Sequence, residues 1–410
     1  MNQPRPTLNK IIFSIALTLV LPMTTSITLA SEADLQKQLD SLQRQLTALN
    51  DQTQQAAEWK NPNTLAHLAG YADASYKKRE NEDASFLVGQ FAPIFHFQYR
   101  DIVMLEAELE FEAGESGETE VALEYMTIDW FINDYATLVA GKFLTPIGQF
   151  RQNLHPSWIN KIATAPPGFG HDGAAPVSDI GMQLRGGFAV SGMRANYAVY
   201  ASNGPEINAE TEDGIEYALD GVAAEGFNAD SDGNKVYGGR LGLLPAPSFE
   251  VGISAAAGKA AVTQIESDDE ALARPIAGEN SRDYTVYGAD FVWFSGGMSL
   301  RGEIVKTKVG DDTSTGATSS EGADWQTWYT QLAYQLPGTK WEGAVRYADY
   351  DSPHDSIDQK QVALGVNYLV SNNFIVKLTH ELNDGKTNPE TGEKYATDAN
   401  LTMLQLAYGF

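Results

Sequence analysis

The chain contains no cysteine, so it neither needs nor risks disulfides, as suits a bacterial protein exported to an oxidising compartment. Basic residues are scarce: 28 Lys and Arg stand against 54 Asp and Glu, for a formal net charge of −26. Such an acidic chain is a poor partner for nucleic acid. Beyond residue 30 no apolar run approaches the length that a membrane helix needs. Zinc-ligand spacing and a phosphate-cradling glycine loop are also missing, and no cofactor is expected.

What the N-terminus does contain is an export signal. Arg5 and Lys10 precede the apolar run 11–21, and small and polar residues lead to Ala30. This predicts a secretory leader over 1–30, too short to span a membrane. The leader carries two positive and no negative charges, so its removal leaves −28. A chain exported without a spanning helix either stays in the periplasm or crosses a membrane as a closed barrel.

Residues 31–60 differ in character, being rich in Gln and without Gly. Leu35, Leu42 and Leu49 lie seven apart, as do Leu39 and Leu46, which predicts a heptad seam of about three turns of the repeat. So short a coil is marginal alone but brings copies together when fused to an oligomer. A flexible linker is the plainer alternative.

From 61 to 410 the sequence reads as strands and turns. Sixteen runs alternate at period two, near 64–77, 85–100, 102–112, 119–131, 135–143, 178–188, 193–202, 235–244, 248–258, 283–294, 297–308, 324–336, 340–350, 358–370, 373–383 and 398–410. Short turns such as Arg100-Asp101, Ser191-Gly192 and Pro337-Gly338 alternate with long polar loops at 203–234, 259–282, 309–323 and 384–397. In the last run Thr402, Leu404, Leu406, Tyr408 and Phe410 share one face. These features predict an all-β fold, a sixteen-stranded antiparallel transmembrane barrel, with both ends of the barrel segment on the periplasmic side. An ordinary soluble sheet has no reason to sort its loops by length.

Parity assigns the two faces. Phe91, Phe95, Phe97 and Tyr99, with Val103, Leu105, Leu109 and Phe111, form an apolar outer set, as do Phe374, Val376 and Leu378. Inward positions carry Glu106, Glu108, Glu110 and Glu112 on one strand, and Lys142, Arg185, Arg194, Arg240, Arg301, Arg346 and Lys377 on others. Opposed acidic and basic walls in a wet lumen set up a field that orients solutes; the bland alternative is that each charge merely keeps the interior wet. Bulges are expected to flip individual assignments.

One loop stands apart. The stretch 144–177 is long, apolar and aromatic, with Phe150, Trp158, Ile159 and Phe169, and carries Arg151 and Lys161 just after Lys142. Water would not keep these apolar groups, so the loop is expected to fold into the lumen and narrow it. Packing on the rim or at a subunit contact is the alternative. His155, His171 and Asp172 accompany Ser157 there, but nothing supplies the strained turn and oxyanion donors of a hydrolase, so no enzymatic activity is expected. Asp230-Ser231-Asp232-Gly233-Asn234 is half a calcium loop without its closing Glu, and reads as a solvated turn.

With Gly141-Lys142-Phe143-Leu144-Thr145-Pro146-Ile147-Gly148 and the loop after it, the preceding coil, the strand count and the terminal Phe, the chain resembles the phosphate-selective porin O and P family. The resemblance implies a homotrimer of barrels in outer-membrane lipid, an inward third loop, and passage of small anions through an arginine-lined lumen. Carried onto this sequence, Lys142, Arg151 and Lys161 become constriction-loop cations, and Arg185, Arg240, Arg301 and Arg346 become wall cations. The acidic balance and the Glu106–Glu112 row depart from strict phosphate capture. The expectation is therefore a porin for small hydrophilic solutes or inorganic ions, with weak anion preference. A cation-preferring pore and a closed-barrel adhesin or structural protein are its rivals.

Overall fold

The computed structural model describes residues 64–410 apart from 115–116, 171–172, 213–215, 224–229, 231, 267–273, 276–278, 316 and 389–390. The expected leader and heptad segment lie outside the described residues, as do His171 and Asp172.

Sixteen strands close into one antiparallel ring. The first seven are β1 (Thr64–Arg79), β2 (Ser85–Tyr99), β3 (Val103–Ala113), β4 (Thr119–Asn133), β5 (Ala136–Leu144), β6 (Ser178–Val190) and β7 (Met193–Ser202). Two short strands, β8 (Glu206–Glu212) and β9 (Glu216–Ala223), leave the ring. It resumes with β10 (Val236–Ala246) and β11 (Phe249–Glu266), and β12 (Arg274–Pro275) is again extra. The remaining seven are β13 (Arg282–Ser295), β14 (Met298–Val309), β15 (Ala323–Gln335), β16 (Trp341–Asp351), β17 (Gln359–Ser371), β18 (Phe374–Gly385) and β19 (Leu401–Gly409). Strand β7 pairs with β10, β11 with β13, and β19 with β1, which leaves no free edge. The sixteen expected runs match these ring strands to within a few residues, except that β11 climbs eight residues further, to Glu266.

Two-residue turns such as Asp134-Tyr135, Ser191-Gly192 and Asn372-Asn373 lie at one end of the ring, and the long loops lie at the other. The loop after β7 is not irregular throughout. Its β8–β9 hairpin runs parallel to the top of β11 and buries Ile207, Ala209, Leu219 and Val222. A His354 ring nitrogen lies 3.0 Å from the Leu219 carbonyl, tying this hairpin to the loop between β16 and β17.

Alternation sorts the faces as lipid requires. On β19, Leu404, Leu406, Tyr408 and Phe410 are exposed, whereas Leu401, Gln405 and Ala407 are buried. Aromatic pairs including Trp341–Tyr368 and Phe374–Tyr408 ring the short-turn end. Closure there needs a glycine. Gly70 exchanges both backbone hydrogen bonds with Phe410 at φ +153°, and a Cβ would fall 2.4 Å from the Ala92 carbonyl oxygen.

One bulge matters for the interior. Glu108 pairs with Tyr125 and Leu109 with Leu123, so Glu124 is an extra residue on β4. Glu124 and Tyr125 both turn inward and are buried, while Leu123 and Met126 on either side are exposed.

Candidate permeation site

The segment 145–177 packs against inward side chains rather than standing in solvent. Ile147, Phe150, Ile162 and Phe169 are buried, and Phe169 meets Tyr329 edge-on at 5.2 Å between ring centres. Burial of each such side chain contributes roughly 1.5–3 kcal/mol. A loop buried this way must also satisfy its main chain, and the ring strands supply the partners. Glu303 accepts from the N–H groups of Gln149 and Phe150 at 3.1 and 3.0 Å, at the start of the short helix α1 (Phe150–Asn153). Lys377 donates to the carbonyls of Ser157 and Asn160 at 2.6 and 3.3 Å. Arg346 donates to Thr164 O at 2.8 Å and Ala165 O at 3.1 Å. Thr307, Thr327 and Asn367 donate to the carbonyls of Ala174, Pro167 and Lys161. The segment is thereby fastened along the inner wall of β14–β18.

Among the residues singled out from the sequence, Lys142 is misassigned. It pairs laterally with Met126, which is exposed, while its neighbours Val139 and Phe143 are buried inside. Period-two alternation therefore points Lys142 away from the lumen. The other named residues face inward or lie on the loop, but in unlike settings. Arg346 is fully buried and also donates to Gln361 at 2.7 Å. Arg240 is buried too, donating to Asp290 at 2.6 and 2.8 Å and to Glu250 at 3.0 Å. Arg185 keeps 46% of its side-chain area exposed while pairing with Asp129 at 2.5 Å. Lys161 meets Glu342 at 3.2 Å, and the Arg301 guanidinium sits 6.0 Å from the centre of the Phe294 ring.

The glutamate row forms the opposite wall. Glu106 accepts from Tyr125 at 2.9 Å, and Glu108 from Tyr71 at 2.8 Å. Across from them the loop presents two basic groups: His155 Nε2 lies 3.7 Å from Glu108, and Arg151 lies 3.8 Å from Glu124. Ser157 Oγ is buried without a hydrogen-bond partner among the described residues, so it forms no nucleophile–base pair with His155. Glu124, Asp129 and Asp73 escaped sequence reading. Asp73 and Asp129 sit at inward alternation positions and were legible in principle, whereas Glu124 turns inward only because of the bulge.

Two cavities adjoin the loop on this wall. One, of about 290 Å³, is lined by Glu106, Glu108, Gln152, His155, Gln183 and Arg185 among others. The second, of about 210 Å³, includes Asp73, Glu110, Glu124, Arg151 and His155. Successive members of the glutamate row thus fall on either side of His155. A third space, of about 340 Å³, lies by the short-turn end and includes Lys161, Arg301 and Glu342.

The barrel matches solved outer-membrane proteins in fold. An anion-selective porin from Comamonas acidovorans is 14% identical, with TM-score 0.57 over 85% of this chain and 100% of its own. The outer membrane channel DcaP of Acinetobacter baumannii is 11% identical, with TM-score 0.55 over 86% and 99%. OmpT of Vibrio cholerae in its trimer form is 14% identical, with TM-score 0.53 over 85% and 99%. At these identities the likeness concerns the fold alone. No curated protein matches the chain. The profile of the phosphate-selective porin O and P family, however, matches residues 99–410, and that span holds the glutamate row, the fastened loop and the last strand. The chain belongs to that family and is an outer-membrane porin, a channel for passive diffusion.

Proposed function

We propose that this porin prefers cations, and that its constriction lies where loop 145–177 meets the β1–β4 wall. One observation carries the reading. The two cavities beside the loop are lined by five carboxylates, Asp73, Glu106, Glu108, Glu110 and Glu124, against two guanidinium groups, Arg151 and Arg185. Leaving His155 out of the count, that is a formal surplus of three negative charges around these two cavities. The basic residues Arg240, Arg346 and Lys377 do not line these cavities; Arg240 pairs with Asp290, and Arg346 and Lys377 hold loop carbonyls. Focused by low-dielectric walls, such a surplus raises the local cation concentration. The working assembly is a homotrimer in outer-membrane lipid, which passes small hydrophilic solutes and inorganic ions.

A second reading rests on the short-turn end, where Lys161 and Arg301 face a single carboxylate, Glu342. If that mouth governs, anions are favoured. The zero-current potential of the reconstituted protein under a KCl gradient separates the two. A sign set by potassium supports the acidic path, a sign set by chloride supports the basic mouth, and folded protein without conductance overturns both.

A further inference from the structure

The cavity of about 290 Å³ beneath the loop is bipolar as well as acidic. On β3 it presents Glu106 and Glu108, whose carboxylates are oriented by the Tyr125 and Tyr71 hydroxyls. On β6 it presents Gln183 and Arg185, two residues apart and on the same face. Gln183 is 2% exposed, yet its Nε2 has no hydrogen-bond partner among the described residues. A buried amide donor without an acceptor is destabilising, and a ligand oxygen would relieve that cost. Beside it, Arg185 spends one nitrogen on Asp129 and keeps 46% of its side-chain area exposed. The lining also includes Ile94, on β2 beside Glu108, and Val139 and Phe143, on β5 next to β6.

We infer that this cavity is a binding subsite for small zwitterions, specifically α-amino acids with a modest apolar side chain. The carboxylate is taken by Gln183 Nε2 and the Arg185 guanidinium, and the ammonium by Glu106 and Glu108. The side chain lies on Ile94, Val139 and Phe143. Arg185 reaches across to Asp129 on β4, the strand next to the glutamates of β3, so its guanidinium lies nearer to them than its own strand does. A simple anion would face two carboxylates, and a simple cation would leave Gln183 unsatisfied. The volume is several times the share of one water in the liquid, about 30 Å³.

The inference rests on the lumen being a permeation path, so the test begins with an open channel. Potassium chloride conductance of the full protein is recorded in a planar bilayer at neutral pH. L-leucine, 3-methylbutylamine and 4-methylpentanoate are then added in turn; the last two are the same skeleton without the carboxylate and without the amine. Leucine is expected to reduce the current saturably, with each singly charged analogue needing at least tenfold more for the same effect. Gln183→Leu and Glu106→Gln should each raise the half-blocking leucine concentration at least tenfold. A conducting channel that ignores leucine overturns the subsite and leaves the porin reading intact, as does block by the amine that equals block by leucine. Absence of any potassium chloride current overturns the permeation path itself.

Discussion

The two charged walls of this barrel draw on the same residue types and put them to different uses. On β14–β18, Glu303, Arg346 and Lys377 are buried and hold the loop main chain, so their charge is answered at short range by N–H groups and carbonyls. On β3 and β4, Glu108, Glu110 and Glu124 are buried as well, but with Glu106 they line two cavities instead of holding the loop main chain. A charge shapes permeation by what it leaves unanswered, and parity along a strand does not reveal that. A basic side chain facing inward can be a fastener rather than a selectivity element.

The largest effect is expected from breaking the fastened wall. Lys377→Met or Arg346→Met orphans buried loop carbonyls, at about 1–3 kcal/mol for each group left unsatisfied. With carbonyls at 157–165 left without donors, the loop should loosen. Single-channel conductance should rise at least twofold, and vesicle swelling should admit larger sugars. Unchanged conductance would mean that the loop keeps its place without these cations.

Arg151→Gln sharpens the contrast on the other side. It removes a guanidinium beside Glu124 in the cavity of about 210 Å³. A unit charge about 4 Å from a passing ion in water is worth about 1 kcal/mol, with opposite sign for cation and anion, so cation over anion permeability should rise by up to roughly thirtyfold. A fall in that ratio would place the controlling charge elsewhere. Ionic strength gives a smaller, graded effect. Between 0.1 and 1 M salt the screening length falls from about 10 to 3 Å, and selectivity arising from an open wall should weaken with it. Selectivity that persists at 1 M would point to a site in direct contact with the ion. Least of all is expected from Lys142→Gln, because Lys142 lies on the outer face beside Met126. A shift in zero-current potential there would contradict its placement.

Much of the fold was legible in the chain. Alternation at Leu404, Leu406 and Tyr408 and the sorting of turns from loops are local properties, and they predicted sixteen strands where the ring has sixteen. The inward glutamate row followed from the same period. Three things did not follow. Lys142 was placed inside by the parity read on other strands, whereas on its own strand Val139 and Phe143 take the inner face and leave Lys142 outside. The β4 bulge added Glu124 to the interior, and nothing in Leu123-Glu124-Tyr125-Met126 marks where an extra residue will fall. The fastening of the loop by Glu303, Arg346 and Lys377 joins residues more than 150 positions apart, beyond the reach of any local pattern.

The most direct test of the central claim is the zero-current potential of Glu108→Gln/Glu110→Gln in a tenfold KCl gradient, measured beside the unaltered protein. A potassium-set sign is expected in the unaltered protein, with a marked move toward the chloride value in the variant. A variant with the same potential as the unaltered protein would contradict it, since the open acidic wall would then carry no selectivity.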